Sequence, residues 1–161
     1  MIHVIPGGDL LESDCNVIAH QANCFSKMKR GLANKIRVKY KGAYEADLQY
    51  PLSPDMRLGR TSYWTDEHMY IFNLYGQKGY GTDKQYTDYR ALTYAMLEML
   101  EIIQKVELEN PNFKAKIGMP YLIGCDLAGG EWSKVEKIIH KIFVEIGNRD
   151  IFLYDVNNKS R

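Results

Sequence analysis

The sequence lacks a dominant sign of charge: 21 Lys and Arg stand against 20 Asp and Glu, leaving a net charge of +1. That excludes a broad basic field for nucleic acid and an acidic tail, and confines phosphate recognition to backbone and a few local side chains. Cysteine is scarce. Cys15, Cys24 and Cys125 form an odd set with no CxxC spacing, which argues for a reducing cytoplasm rather than a disulfide scaffold. His3, His20, His68 and His140 are scattered without ligand spacing, so no metal is expected. No apolar run approaches the length of a membrane span, and the N-terminus enters a strand pattern at once rather than a signal peptide. Neither a membrane partner nor export is expected. Internal repeats and low-complexity linkers are missing too. What remains is an ordinary globular balance, 45% hydrophobic and 25% charged over 161 residues. That is enough for one domain, spanning 1–161, with a sizeable core.

The stretch with most chemistry in it is 117–133, Ile-Gly-Met-Pro-Tyr-Leu-Ile-Gly-Cys-Asp-Leu-Ala-Gly-Gly-Glu-Trp-Ser. A short apolar run ends at Pro120, a glycine-studded loop follows, and an amphipathic helix pattern begins near Trp132. Glycines let backbone approach a ligand closely. Free N–H groups in such a loop and at a helix start can point at phosphate oxygens. The loop reads as a diphosphate cradle.

Strands are expected at 2–5, 16–20, 58–64, 69–75, 115–119 and 151–154 from short apolar runs bounded by turn formers. The runs at 16–20 and 69–75 are apolar enough to be buried on both faces. Helical spacing starts near Gly31 with Leu32, Ile36 and Tyr40, and 42–47 extends or follows that helix. Pro51 and Pro54 mark an irregular link. A long helix is expected after Thr87, its presumed N-cap, with Leu92, Ala95, Met96, Met99, Leu100 and Ile103 on one face. The last helix carries Val135, Ile138, Ile139, Ile142, Phe143 and Ile146, leaves His140 on the surface, and ends at Gly147–Asn148 as a left-handed cap. Alternation of this kind argues a mixed sheet with helices on both faces and a ligand crevice at the strand C-termini. Four loops, 7–11, 20–32, 75–81 and 123–131, would meet there. Locally, Asp9 fits either a turn cap or a ligand carboxylate. His20 and Asn23 fit either satisfied buried groups or ligand contacts. Lys27, Lys29 and Arg30 fit either a solvated face or a phosphate-attracting one.

Taken together these segments resemble the macrodomain family, whose members bind ADP-ribose. The resemblance rests on Gly8-Asp9-Leu10, His20-Gln21-Ala22-Asn23, Gly31-Leu32-Ala33, Ile71 to Gln77, and the 123–131 loop, and it covers nearly the whole chain. The nearest branch is that of bacterial and phage proteins that process ADP-ribose-1″-phosphate. The resemblance implies a three-layer α-β-α fold around a central mixed six-stranded sheet, with ADP-ribose, or an ADP-ribosylated protein, as ligand and no cofactor. It further implies a monomeric cytoplasmic protein, in a host cytoplasm if phage-encoded. Under it Gly8, Asp9, Leu10 and Tyr154 would meet adenine. Gly31, Leu32 and Ala33 would form a first phosphate loop, and Ile123, Gly124, Cys125, Leu127, Ala128, Gly129 and Gly130 a second. Asn23, Tyr75 and Gln77 would border the distal ribose. Relatives that form a lysine adduct need a lysine and an aspartate where this chain has Gly76 and Ala128. That departure argues against lysine-adduct chemistry; the activity the resemblance implies is hydrolysis at the distal ribose C1″, as a phosphatase or de-ADP-ribosylating hydrolase. For that hydrolysis the residues at hand are Asp126, as base or ribose orienter where the family often has glycine, Asn23 as orienter and His20 as proton-transfer partner. A non-catalytic reader of ADP-ribose is the alternative. A nucleic-acid binder using the twelve tyrosines is a third class, disfavoured by the neutral charge.

Overall fold

The computed structural model describes residues 1–158. Six strands form one sheet in the order β1-β6-β5-β2-β4-β3. They are β1 (Ile2–Pro6), β2 (Val17–Gln21), β3 (Thr61–Thr65), β4 (Tyr70–Leu74), β5 (Ile117–Pro120) and β6 (Ile151–Asp155). All neighbours run parallel except β3, which pairs antiparallel with β4 at one edge. The sheet is therefore mixed, as the sequence pattern implied.

The helices are α1 (Gly31–Lys39), α2 (Lys41–Gln49), α3 (Pro54–Arg57), α4 (Tyr89–Glu109) and α5 (Trp132–Ile139). The last continues as a π-helical segment over His140–Ile146. Alternation along β2 sorts the core. Val17 and Ala19 pack with Phe72 and Leu74 against α4 and α5, while Ile18 and Ile71 pack with Met28, Ile36 and Ala43 towards α1 and α2. Both faces of the sheet are covered, giving three layers. β2 lies between β5 and β4, and Val17 to His20 are each at most 2% exposed.

Local expectations shift in three places. The link after Pro51 contains the short α3, with Pro54 in its first turn, where a missing N–H is harmless. Asp88, not Thr87, caps α4, its Oδ1 accepting from the Ala91 amide at 3.0 Å. Thr87 is freed for another task described below. At the end of the last helix the left-handed residue is Asn148, with φ 50°, and Gly147 stays right-handed.

Candidate functional site

The C-terminal ends of β2, β4 and β5 open into a groove of about 570 Å³, within the range of small-molecule sites. One wall is the 27–33 segment leading into α1; the other is 120–128, following β5. Gly31 and Leu127 meet across it: a Cβ on Gly31 would sit 3.7 Å from Leu127 Cδ1. The two loops expected to cradle a diphosphate thus share one groove.

Backbone supplies most of the donors. α1 begins at Gly31 without a side-chain cap. Among the described residues the amides of Gly31, Leu32 and Ala33 donate to no protein acceptor, and neither do those of Gly124, Asp126, Leu127 and Ala128. Seven such N–H groups in the two walls of one groove, one set with a helix dipole behind it, favour an anion. Lys27, Lys29 and Arg30 are exposed on the same wall and add positive charge.

The second loop has its shape for local reasons. Gly124 turns it with φ 76°, and Gly130 N–H closes it on Gly124 O at 2.9 Å. Leu122 also takes a positive φ, 65°, which is strained for a side-chain-bearing residue. Thr87 Oγ1 donates to Gly124 O at 2.5 Å and accepts from Gln21 Nε2 at 2.8 Å, tying the loop to the end of β2. Gln21 also donates to Gln77 Oε1 at 2.9 Å.

Beneath the first wall runs a buried polar chain. His20 Nε2 meets Asn73 Oδ1 at 2.7 Å, and Asn73 Nδ2 donates to Ser62 Oγ at 3.0 Å and to Ala43 O at 3.1 Å. Ser62 meets the Tyr75 hydroxyl at 2.8 Å, and that hydroxyl donates to Asp47 Oδ1 at 2.6 Å. Arg57 completes the chain with an ion pair to Asp47 at 3.2 Å, the carboxylate being fully buried. Burial raises the pKa of Asp47, against the lowering effect of Tyr75 and Arg57. Burial also raises the Tyr75 hydroxyl. Burial pushes His20 the other way, down to about 4, with Asn73 opposing.

The expected site residues divide accordingly. Gly31, Leu32, Ala33, Gln77, Ile123, Gly124, Leu127 and Ala128 line the groove, as do His20, Asn23 and Asp126. Asp126 is exposed there. Asn23 is committed to its own turn: its Oδ1 accepts from the Phe25 and Lys27 amides at 3.0 and 3.2 Å, and its Nδ2 donates to Lys27 O at 3.1 Å. It builds the wall that carries Lys27. His20 has its Nε2 engaged by Asn73 at 2.7 Å, and burial lowers its pKa to about 4. Tyr75 is corrected outright: fully buried between Ser62 and Asp47, it does not line the groove. Cys125, Gly129 and Gly130 belong to the second loop but do not line the groove either. Cys125 turns its thiol to Ile123 O, and Gly129 backs onto Gln85.

Gly8, Asp9, Leu10 and Tyr154 also lie outside the groove lining. They form a neighbouring cluster at the ends of β1 and β6. A Cβ on Gly8 would lie 2.9 Å from the Tyr154 ring, the Tyr154 hydroxyl meets Cys15 Sγ at 3.5 Å, and Leu10 is buried. Asp9 Oδ1 accepts from the Leu11 amide at 3.0 Å, capping a 3-10 turn, the local alternative noted from sequence. Sequence reasoning missed Gln21, whose role depends on partners 56 and 66 residues away. It also missed Tyr80 and Thr82, which line the groove from the loop after β4.

A three-layer α/β domain with a backbone-lined, anion-favouring groove at its strand ends is a ligand-binding class. The chain has the macrodomain fold. The macrodomain of Mycobacterium tuberculosis DarG superposes with a TM-score of 0.75 at 18% identity, covering 96% of this chain and 97% of that one. Thermosipho africanus DarTG, solved in complex with ADP-ribose, gives 0.72 at 16% identity over 96% of this chain and 42% of that one. A Bacteroides thetaiotaomicron protein of unknown function gives 0.78 at 25% identity over 96% and 98%. No family sequence model matches the chain, and no curated sequence does.

Proposed function

We propose that the groove binds ADP-ribose, with the diphosphate between the amides of 31–33 and 124–128 and adenine towards Asp9, Leu10 and Tyr154. The observation that carries this is the meeting of two sets of unpartnered amides across one groove. The fold shared with a protein solved with ADP-ribose supports it. Calorimetry with ADP-ribose, with AMP and NAD as controls, tests it: ADP-ribose should bind most tightly, and no heat of binding would end the proposal.

Asp126 favours a second step, hydrolysis at the distal ribose C1″. Its carboxylate is exposed on the groove wall within the second loop. In this reading Asp126 takes a proton from water as the water oxygen bonds to C1″. The bond from C1″ to the leaving phosphate or carboxylate breaks, and the leaving group departs as an anion. This reading takes no lysine-adduct step. A Cβ on Gly76 would lie 2.4 Å from Gln21 Oε1, so position 76 has no room for a lysine. Purified protein is to be incubated with ADP-ribose-1″-phosphate and with glutamate-linked ADP-ribose. Asp126→Ala should abolish turnover by 100-fold or so while ADP-ribose still binds. A wild type that binds and turns over neither substrate is a reader of ADP-ribose instead.

A further inference from the structure

α1 runs between the two regions assigned above to diphosphate and to adenine. Its first residue, Gly31, begins the amides of the first groove wall. In its last turn Lys39 sends its ammonium to the 3-10 turn Leu10–Glu12 that follows β1, donating to Leu11 O and pairing with Glu12 Oε1 at 3.0 Å. We propose that Lys39 is a positioning residue for base recognition: it clamps that turn to α1 and so fixes Asp9, the cap of the turn, relative to the diphosphate amides at the helix's other end. The proposal rests on the ADP-ribose reading, in which Asp9 accepts a hydrogen bond from the adenine amino group.

Each carbonyl of the turn calls for a donor. Asp9 O takes the Glu12 amide at 3.1 Å, and Leu10 O takes the Ser13 amide at 3.2 Å and the Ser13 hydroxyl at 2.6 Å. Leu11 O takes no amide among the described residues. Its donor is Lys39, 28 residues away. Leu11 is thus held from both sides. Its C=O is fixed by the ammonium, and its N–H donates to Asp9 Oδ1 at 3.0 Å and fixes the carboxylate. Asp9 is exposed, and its Oδ2 accepts from no protein donor among the described residues.

Leu10 and Leu11 are buried in the same core as Ile36 of α1, which sets the depth of the turn. Apolar contacts are non-directional, so the angle of the turn is left to the polar clamp. The Lys39 ammonium is held above its ordinary pKa, chiefly by the Glu12 hydrogen bond and in smaller part by the charge of Asp9. Gly31 and Lys39 are the two ends of one helix, about 12 Å apart at about 1.5 Å per residue. The helix is a rigid spacer between base and diphosphate.

Base discrimination tests the clamp. ADP-ribose is compared with its purine analogue, in which hydrogen replaces the exocyclic amino group. The wild type should prefer ADP-ribose by on the order of tenfold, the worth of one hydrogen bond to a charged group. Lys39→Met should remove most of that preference with affinity for the purine analogue unchanged, and Lys39→Arg, which keeps a cationic donor, should retain it. Equal losses on both ligands in Lys39→Met, an unaltered preference, or a wild type that binds both ligands alike overturns the proposal. Hydrogen exchange of the Leu11 amide reads the clamp without ligand. It should quicken by about tenfold in Lys39→Met while the α4 amides stay protected, and an unchanged rate rejects the clamp. If the wild type does not bind ADP-ribose, the function proposed above fails and base recognition with it; the hold of Lys39 on the turn is then judged by exchange alone.

Discussion

Gly76 and Arg57 show how single residues set what this groove can be. At Gly76 the backbone is unremarkable in φ, but the space a Cβ needs is held by Gln21 Oε1 at 2.4 Å and Leu92 Cδ1 at 2.9 Å. Gln21 cannot swing aside cheaply, because Gln77 and Thr87 hold its amide. Gly76→Ala should therefore cost about 1–3 kcal/mol, the usual range for overpacking, seen as a lower urea midpoint. It should also loosen the second loop and weaken ADP-ribose binding. Arg57 is a different case, a buried cation serving a buried carboxylate. It donates to Leu52 O, Ser26 Oγ, Asp47 Oδ1 and Tyr50 O, binding α2, α3 and the 26–27 turn together. Arg57→Met leaves Asp47 without its counter-ion, and breaking such a pair costs about 3–5 kcal/mol. Equilibrium denaturation should show a loss of that order, with Asp47→Asn in the Arg57→Met background recovering part of it.

At the scale of elements, the hydrophobic pattern made most of the fold legible, because strands and helices here obey their periods. The α4 face through Leu92, Ala95, Met96, Met99, Leu100 and Ile103 is buried as its spacing requires, and β2 and β4 are central because they are apolar on both faces. The groove walls were legible as glycine loops bracketing a strand and a helix. The buried chain from His20 to Arg57 was not. It joins β2, β3, β4, α2 and α3 through polar side chains whose partners lie 10 to 53 residues away in sequence, beyond the reach of any local pattern. Tyr75, which the family resemblance put beside the distal ribose, is instead held inside by Asp47, a partner 28 residues upstream. The first wall carries its own prediction. Lys27, Lys29 and Arg30 face the groove beside the uncapped start of α1. Lys29→Glu with Arg30→Glu should weaken ADP-ribose binding by about 1–2 kcal/mol at low salt, as removed helix-terminus and charge-assisted contacts do. The deficit should shrink as salt is raised. A deficit indifferent to salt would mean that these side chains shape the wall rather than attract the anion.

For the whole molecule, the buried imidazole makes stability depend on pH in a defined direction. His20 has its folded pKa pushed down to about 4 by burial, from an ordinary value of 6.5. Between those values the unfolded chain binds the proton and the folded chain does not, so stability rises with pH across that window. The contribution is complete above 6.5, erodes on acidification and is gone below about 4; the two pKa values imply roughly 3 kcal/mol. Shifted carboxylates bend the same curve, the more buried ones being Glu107 and Asp47. Glu107 is held low by Arg149, so it too loses stabilisation in acid, as pH falls through its depressed folded pKa. Asp47 is raised by burial and acts in the opposite sense near the ordinary carboxylate range. Comparing variants separates them, because both remain when position 20 changes. Urea midpoints measured from pH 7 to pH 4 should fall steeply for the wild type and more gently for His20→Phe, the two curves converging at the acid end. Parallel curves would show that the imidazole takes up its proton inside the fold, and that burial does not hold it neutral.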